Sequence, residues 1–194
     1  MSICPLPYAM YSEACCRYGK GDARMAYTSR YHVYIAISLD GYVARDNGDV
    51  DWLFTDQDYG YENFYRSVDT LIMGRHTYDQ VLTIGAYPYE GKETYVLTAS
   101  RQGRDDYVTY VPDMASLSAK LGDKERQVWI VGGAQIIGRM LEEGWVDELR
   151  LFIHPILLGG GIPLFPQHHT MRTYHLLGTH SYSSGLVELH YSRS

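Results

Sequence analysis

The chain has 194 residues, with 17 Lys and Arg against 23 Asp and Glu, for a net charge of −6 at neutral pH. Its 45% hydrophobic and 21% charged residues suit a folded domain, which argues against disorder, and no apolar run reaches the ~18 residues of a membrane span. The acidic balance argues against a nucleic-acid binder, while leaving room for a local basic pocket that takes a small anion.

The three cysteines, Cys4, Cys15 and Cys16, all fall in the first 16 residues. They form neither a disulfide framework nor a zinc pattern, and a cysteine-free remainder fits a cytoplasmic protein. Residues 1–30 show neither a helical nor a strand period and contain no continuous apolar signal segment. They are expected to be a poorly structured N-terminal extension, either a tail or an arm docking on a partner subunit. Met25 is a candidate start, and residues 31–194 form the domain.

Residues 33–38 (VYIAIS) are β-branched and apolar, which predicts a buried strand ending at Asp40-Gly41. Residues 56–67 are read as a helix with Phe64 and Tyr65 inward, weakened by Gly60. The run 70–73 (TLIM) is a short strand, and a helix over 75–82 opens directly from Gly74. Strands follow at 94–97 and 107–111, then a helix over 114–121 with Asp113 as its N-cap. The apolar strand 128–131 (VWIV) meets Gly132-Gly133, and residues 134–143 carry one apolar stripe of Ile136, Ile137, Met140 and Leu141. Residues 148–154 alternate as a strand, and 174–182 with 186–192 read as a closing hairpin. Helices and strands that alternate before a terminal hairpin predict an α/β fold with a mostly parallel sheet and an antiparallel C-terminal edge.

One arrangement occurs twice: apolar strand, glycine, helix. It appears at Gly74-Arg75-His76-Thr77 and at Gly132-Gly133-Ala134-Gln135. A helix N-terminus offers free N–H donors and the positive end of the helix dipole, and glycine lets an anion approach closely. Arg75 adds a planar fork suited to phosphate. The same glycines also make ordinary strand-to-helix turns without a ligand. Asp40 in Ser38-Leu39-Asp40-Gly41 could act simply as a turn residue. The C-terminal histidines (His168, His169, His175, His180 and His190) match no metal spacing, and no metal is expected.

Together, YIAISLDGYVA (34–44), VDWL (50–53), VDTLIMGRHTYDQVL (68–82), YVLTAS (95–100), VWIVGGAQII (128–137) and VDELRLFIHPILLGGGIPLF (146–165) resemble the dihydrofolate reductase superfamily. The likeness covers about residues 31–192. It is closest to stand-alone relatives of the reductase domain of the riboflavin-pathway deaminase-reductase.

The resemblance implies an eight-stranded sheet flanked by helices, and NADPH as hydride donor. It places Gly74, Arg75, His76 and Thr77 at the cofactor phosphates, with Arg75 near the 2′-phosphate. Thr98, Ser100 and Arg101 would fall at the adenosine end, Gly132, Gly133, Ala134 and Gln135 at the pyrophosphate, and Ala36 and Val43 along the nicotinamide. Asp40, Asp56 and Asp58 are the candidates for proton supply. Where the riboflavin-pathway enzyme usually has Lys, four residues before Ser38, this chain has Tyr34. The implied activity is reduction of a small conjugated heterocycle, a pterin or a riboflavin-precursor-like pyrimidine, similar to 5-amino-6-(5-phosphoribosylamino)uracil reductase. A nucleotide-binding protein without turnover is the alternative. The resemblance also implies a homodimer and a small-molecule substrate, with no nucleic-acid or membrane partner.

Overall fold

The structure, a computed structural model, describes residues 29–166 and 171–194. The expectations for residues 1–28, including the start at Met25 and the cysteines, lie outside the described residues, as do His168 and His169.

Among the described residues, ten strands and four helices follow one another. They are β1 (Arg30–Ser38), β2 (Tyr42–Ala44), α1 (Tyr61–Ser67), β3 (Thr70–Gly74), α2 (Arg75–Ile84), β4 (Glu93–Leu97) and β5 (Thr109–Val111). Then come α3 (Met114–Leu121), β6 (Gln127–Gly132), α4 (Ala134–Glu142), β7 (Glu148–His154), β8 (Ile162–Pro163), β9 (Tyr174–Ser181) and β10 (Val187–Arg193). Eight of the strands form one sheet in the order β5-β4-β3-β6-β1-β7-β10-β9. Pairing is parallel from β5 through β7 and antiparallel at β7–β10 and β10–β9, as the sequence pattern predicts. The strands β2 and β8 pair separately, and the sequence reading missed both. Neither exceeds three residues, too short for a periodic signal.

Period-two alternation splits the apolar residues between two cores. Val33, Ile72, Tyr95, Val128 and Ile130 face Leu117 of α3 and Ile137 and Met140 of α4. Leu71, Met73, Val96 and Trp129 face the other way, against Phe64 of α1 and Tyr78 of α2. Ile72, Ile130, Leu117 and Ile137 are all 0% exposed. Full burial of one such side chain contributes about 1.5–3 kcal/mol. Because the central strands are parallel, β3, β6 and β1 end at the same edge, where strand-to-helix turns collect.

Two local expectations are corrected. The helix read over 56–67 begins only at Tyr61, because Tyr59 (φ +51°) and Gly60 (φ +84°) are left-handed. The Asp58 carboxylate accepts from Gly60 N (3.1 Å) and Glu62 N (3.0 Å), so it caps the shorter helix instead of continuing a longer one. The strand read from 107 begins at Thr109, because Asp105 Oδ1 accepts from the backbone N–H of Tyr107 and Val108 and makes a turn there. Asp113 caps α3 as expected, accepting from Ser116 N at 2.7 Å.

Candidate active site

Gly74 ends β3 and Gly132 ends β6, and the sheet register sets Met73 opposite Gly132. The two strand-to-helix turns therefore lie side by side. Gly74 heads α2 and Gly133 heads α4, and neither helix has a side-chain cap. The first-turn N–H groups of both helices thus remain available at their N-terminal ends. Close approach explains the glycines: a Cβ on Gly74 would lie 3.1 Å from Ile136 Cγ1, and one on Gly133 would lie 3.4 Å from Thr77 Oγ1. Thr77, on α2, thus faces the glycine pair of the other turn, whose Gly132-Gly133 peptide is cis. His76 and Gln135 are exposed, and Ala134 is buried.

Arg75 lies at the first turn of α2. Its Nε donates to Asp79 at 3.1 Å and its Nη1 to Ser100 Oγ at 2.8 Å. Ser100 Oγ lies 2.9 Å from Thr98 Oγ1, just past the end of β4. Arg101 joins the group, 3.5 Å from Asp79 Oδ1, and donates to the Tyr110 hydroxyl. Two guanidinium groups thus share one carboxylate beside two hydroxyls. The group is one positive charge in excess, as a phosphate-binding cluster needs.

On the α1 side of the sheet opens a cleft of about 500 Å³. Its floor is Tyr34, Ile35 and Ala36 of β1, Trp129 of β6, and Phe152 and His154 of β7. Leu53, Phe54, Thr55, Gln57, Asp58, Tyr59 and Tyr61 form one wall, and Leu186 adds to the rim. Tyr34 stacks on Phe64 at 4.4 Å and tilts against Phe152 at 4.3 Å. Such a surface offers flat apolar faces to a planar ring. Trp129 is buried, and its indole Nε1 has no partner among the described residues.

The 53–59 wall is tied down by hydrogen bonds. His154 donates from Nδ1 to the Phe152 carbonyl and accepts at Nε2 from Phe54 N, both at 3.2 Å. This pair of partners requires the neutral ring with its proton on Nδ1. Burial holds the pKa of His154 below the usual histidine range, although its carbonyl contacts oppose the shift. The Tyr59 carbonyl accepts from the hydroxyls of Tyr34 (3.0 Å) and Tyr182 (3.2 Å). Partly buried Tyr34 has a raised pKa, chiefly from desolvation, and remains neutral.

The three expected carboxylates separate. Asp58 borders the cleft. Asp56 is exposed, and its Oδ1 accepts the Tyr59 hydroxyl at 2.6 Å; that bond holds the Asp56 carboxyl below its ordinary value. Asp40 lies outside the cleft walls. It accepts from Ser38 Oγ (2.6 Å), Gly159 N (2.8 Å) and Leu158 N (3.1 Å), and the Ser38 bond is the main cause of its lowered pKa. A general acid needs a raised pKa and reach to substrate, so Asp40 and Asp56 brace turns instead. Ala36 lies in the cleft, whereas Val43 packs on the opposite core. The sequence reading missed Trp129, Phe152 and His154 as cleft residues. Their signal was strand alternation, which marks a face but not what covers it. Of the C-terminal histidines among the described residues, His190 pairs with Glu148 at 3.0 Å, while His175 and His180 lie on β9.

Comparison with known proteins places this architecture. The family model for the RibD C-terminal domain matches residues 79–187. The uncharacterized protein YwjB of Bacillus subtilis (strain 168) is 38% identical over 169 residues, covering 84% of this chain and 97% of its own. The uncharacterized protein YyaP of the same organism is 30% identical over 171 residues, covering 81% and 91%. A crystal structure from Shewanella sp. PV-4, described as a riboflavin biosynthesis protein, superposes with a TM-score of 0.75 at 32% identity. It covers 85% of this chain and 99% of its own.

Proposed function

Since the chain belongs to the family of RibD C-terminal domains, we propose that it is an NADPH-dependent reductase of a small conjugated heterocycle. One observation carries this reading: two uncapped, glycine-headed helix N-termini lie side by side within one α2 turn of Arg75. The residues present fit a dinucleotide phosphate. A side chain at Gly74 or Gly133 would crowd the cradle, and Arg75, Arg101, Thr98 and Ser100 provide donors for a further phosphate group. When bound, the dinucleotide supplies the hydride.

The protein's own residues bind and position. The turns at Gly74 and Gly132-Gly133 take the pyrophosphate, and Arg75 selects the phosphorylated dinucleotide. Ala36, a side chain without bulk, leaves the floor of the cleft open. Tyr34 and Phe152 lie against the flat face of the substrate, and His154 keeps the 53–59 wall in place through Phe54 N. Asp58 is the carboxylate positioned to govern a proton at the cleft, with its oxygens held by Gly60 N and Glu62 N. The reading includes a cytoplasmic homodimer formed through the exposed edge strand β9, where Leu176 and Leu177 are 54% and 56% exposed. Sedimentation of a monomer at all concentrations would remove the dimer.

A fluorescence titration with NADPH and NADH tests the site. Saturable binding with NADPH strongly preferred is expected, and no binding of either overturns the reading. One observation favours a second reading, nucleotide binding without turnover: hydrogen bonds from Ser38 and Tyr59 lower the pKa of Asp40 and Asp56, the opposite of what a general acid needs. Tight NADPH binding without oxidation across pterin and pyrimidine substrates would select it.

A further inference from the structure

The charges around the cleft narrow the substrate, and this step rests on the reductase reading. Among the described residues lining the cleft, Asp58 is the one side chain that carries a charge, because both ring nitrogens of His154 are engaged with backbone groups. Beside the floor stands a second carboxylate: Glu188 is paired with Phe152 across β7 and β10 and lies 3.4 Å from the Tyr182 hydroxyl, which also holds the Tyr59 carbonyl. Arg150, paired with Tyr34 across β1 and β7, is 3.8 Å from that same Glu188. The Tyr34 hydroxyl reports the balance. After desolvation, Glu188 and Asp58 each push its pKa up by more than Arg150 pulls it down. Arg75 and Arg101 belong to the turns after β3 and β4, on the far side of β6 from β1. Cationic and anionic ends are therefore segregated along one sheet edge.

We propose that the cleft takes a flat heteroaromatic substrate without a phosphate group, neutral or cationic at the ring, and that Asp58, backed by Glu188, rejects phosphorylated analogues. A phosphate placed here would meet carboxylate instead of guanidinium in a partly desolvated space, where like charges repel more strongly than in water. The aromatic floor meanwhile supplies affinity for any planar ring, whatever its charge.

The test is calorimetric titration of the full-length protein, with and without saturating NADPH, using an aminouracil riboside and its 5′-phosphate. The riboside is expected to bind about tenfold more tightly at low salt, with the gap closing as ionic strength rises. Asp58→Asn should narrow the gap, and asparagine can still cap α1. Glu188→Gln provides an independent variant. Equal or tighter binding of the phosphate by the wild-type protein overturns the proposal, as does failure of both ligands to bind. An unchanged gap in both variants overturns the assignment to these carboxylates. NADPH binding combined with preference for the phosphate ester refutes this step alone. Preference for the riboside without NADPH binding refutes only the reductase reading.

Discussion

At the turns after β3 and β6, the groups that face a ligand are backbone N–H donors, released because Gly74 and Gly133 leave α2 and α4 uncapped. In the cleft, the facing groups are side chains drawn from β1, β6, β7, the 53–59 segment and Leu186. The first region depends on local geometry that a short motif encodes. The second depends on which strands the sheet sets side by side. Substitutions should therefore act differently: in the turns they should remove binding without unfolding the protein, whereas in the cleft they should affect selectivity and stability together.

The sharpest test of this contrast is Gly133→Asp. An aspartate there can cap α4, which offsets the contact of its Cβ with Thr77 Oγ1, so the melting temperature should change little. Its carboxylate would occupy the anion site, and NADPH affinity should fall by about a hundredfold or more. Fluorescence titration and thermal melts on the same sample check both halves, and a lowered melting temperature with unchanged NADPH affinity would break the comparison.

Arg75→Ala comes next. It removes the guanidinium that donates to Ser100 and leaves Asp79 with Arg101 alone, and it should cut the preference for NADPH over NADH by about tenfold to a hundredfold. NADH binding should barely change, and paired titrations read the ratio.

On the cleft side, Tyr34→Phe keeps the ring stack on Phe64 and Phe152 but removes the bond to the Tyr59 carbonyl. A loss of about 1 kcal/mol in denaturant melts is expected. NADPH binding should be unaffected, since Tyr34 does not touch the glycine turns.

The smallest effect concerns pH. His154 is neutral, with a folded pKa below its unfolded value of about 6.5. Below that value the unfolded chain binds a proton more readily than the folded one. Stability is therefore fully present above about pH 6.5 and declines as pH falls toward the lowered folded pKa. His154→Phe should flatten this part of the stability–pH curve, measured by denaturant melts across that window. An unchanged slope would mean that other groups carry it.

The carboxylates show where sequence reading ends. Asp40, Asp56 and Asp58 are equivalent as letters: all are acidic and near the end of the first strand or the helix that follows. Hydrogen bonding separates them. Asp40 accepts two backbone N–H groups from a segment 118 and 119 residues away. Asp56 takes the Tyr59 hydroxyl, and Asp58 alone borders the cleft. No periodicity records such partners. Asp113, by contrast, was legible as a cap, because its acceptor role is completed three residues later by Ser116. The early helix boundary at residue 56 failed for a related reason. Two consecutive left-handed residues, Tyr59 and Gly60, override the helical pattern, and only the glycine announces itself in the sequence.

By itself, the sequence determined the order of the helices and of the main-sheet strands, and the pair of glycine-headed turns. These follow from the alternation of side chains along a strand and from the rules at a helix start, both acting within a few residues. Only the tertiary structure decided that the two turns adjoin, that Trp129, Phe152 and His154 share a floor with Tyr34, and that the cleft is acidic while the turns are basic. The physical reason is the strand order. β1 lies between β6 and β7, its partners from near residues 130 and 150, and pairing over such separations is settled by burying apolar faces across the whole sheet.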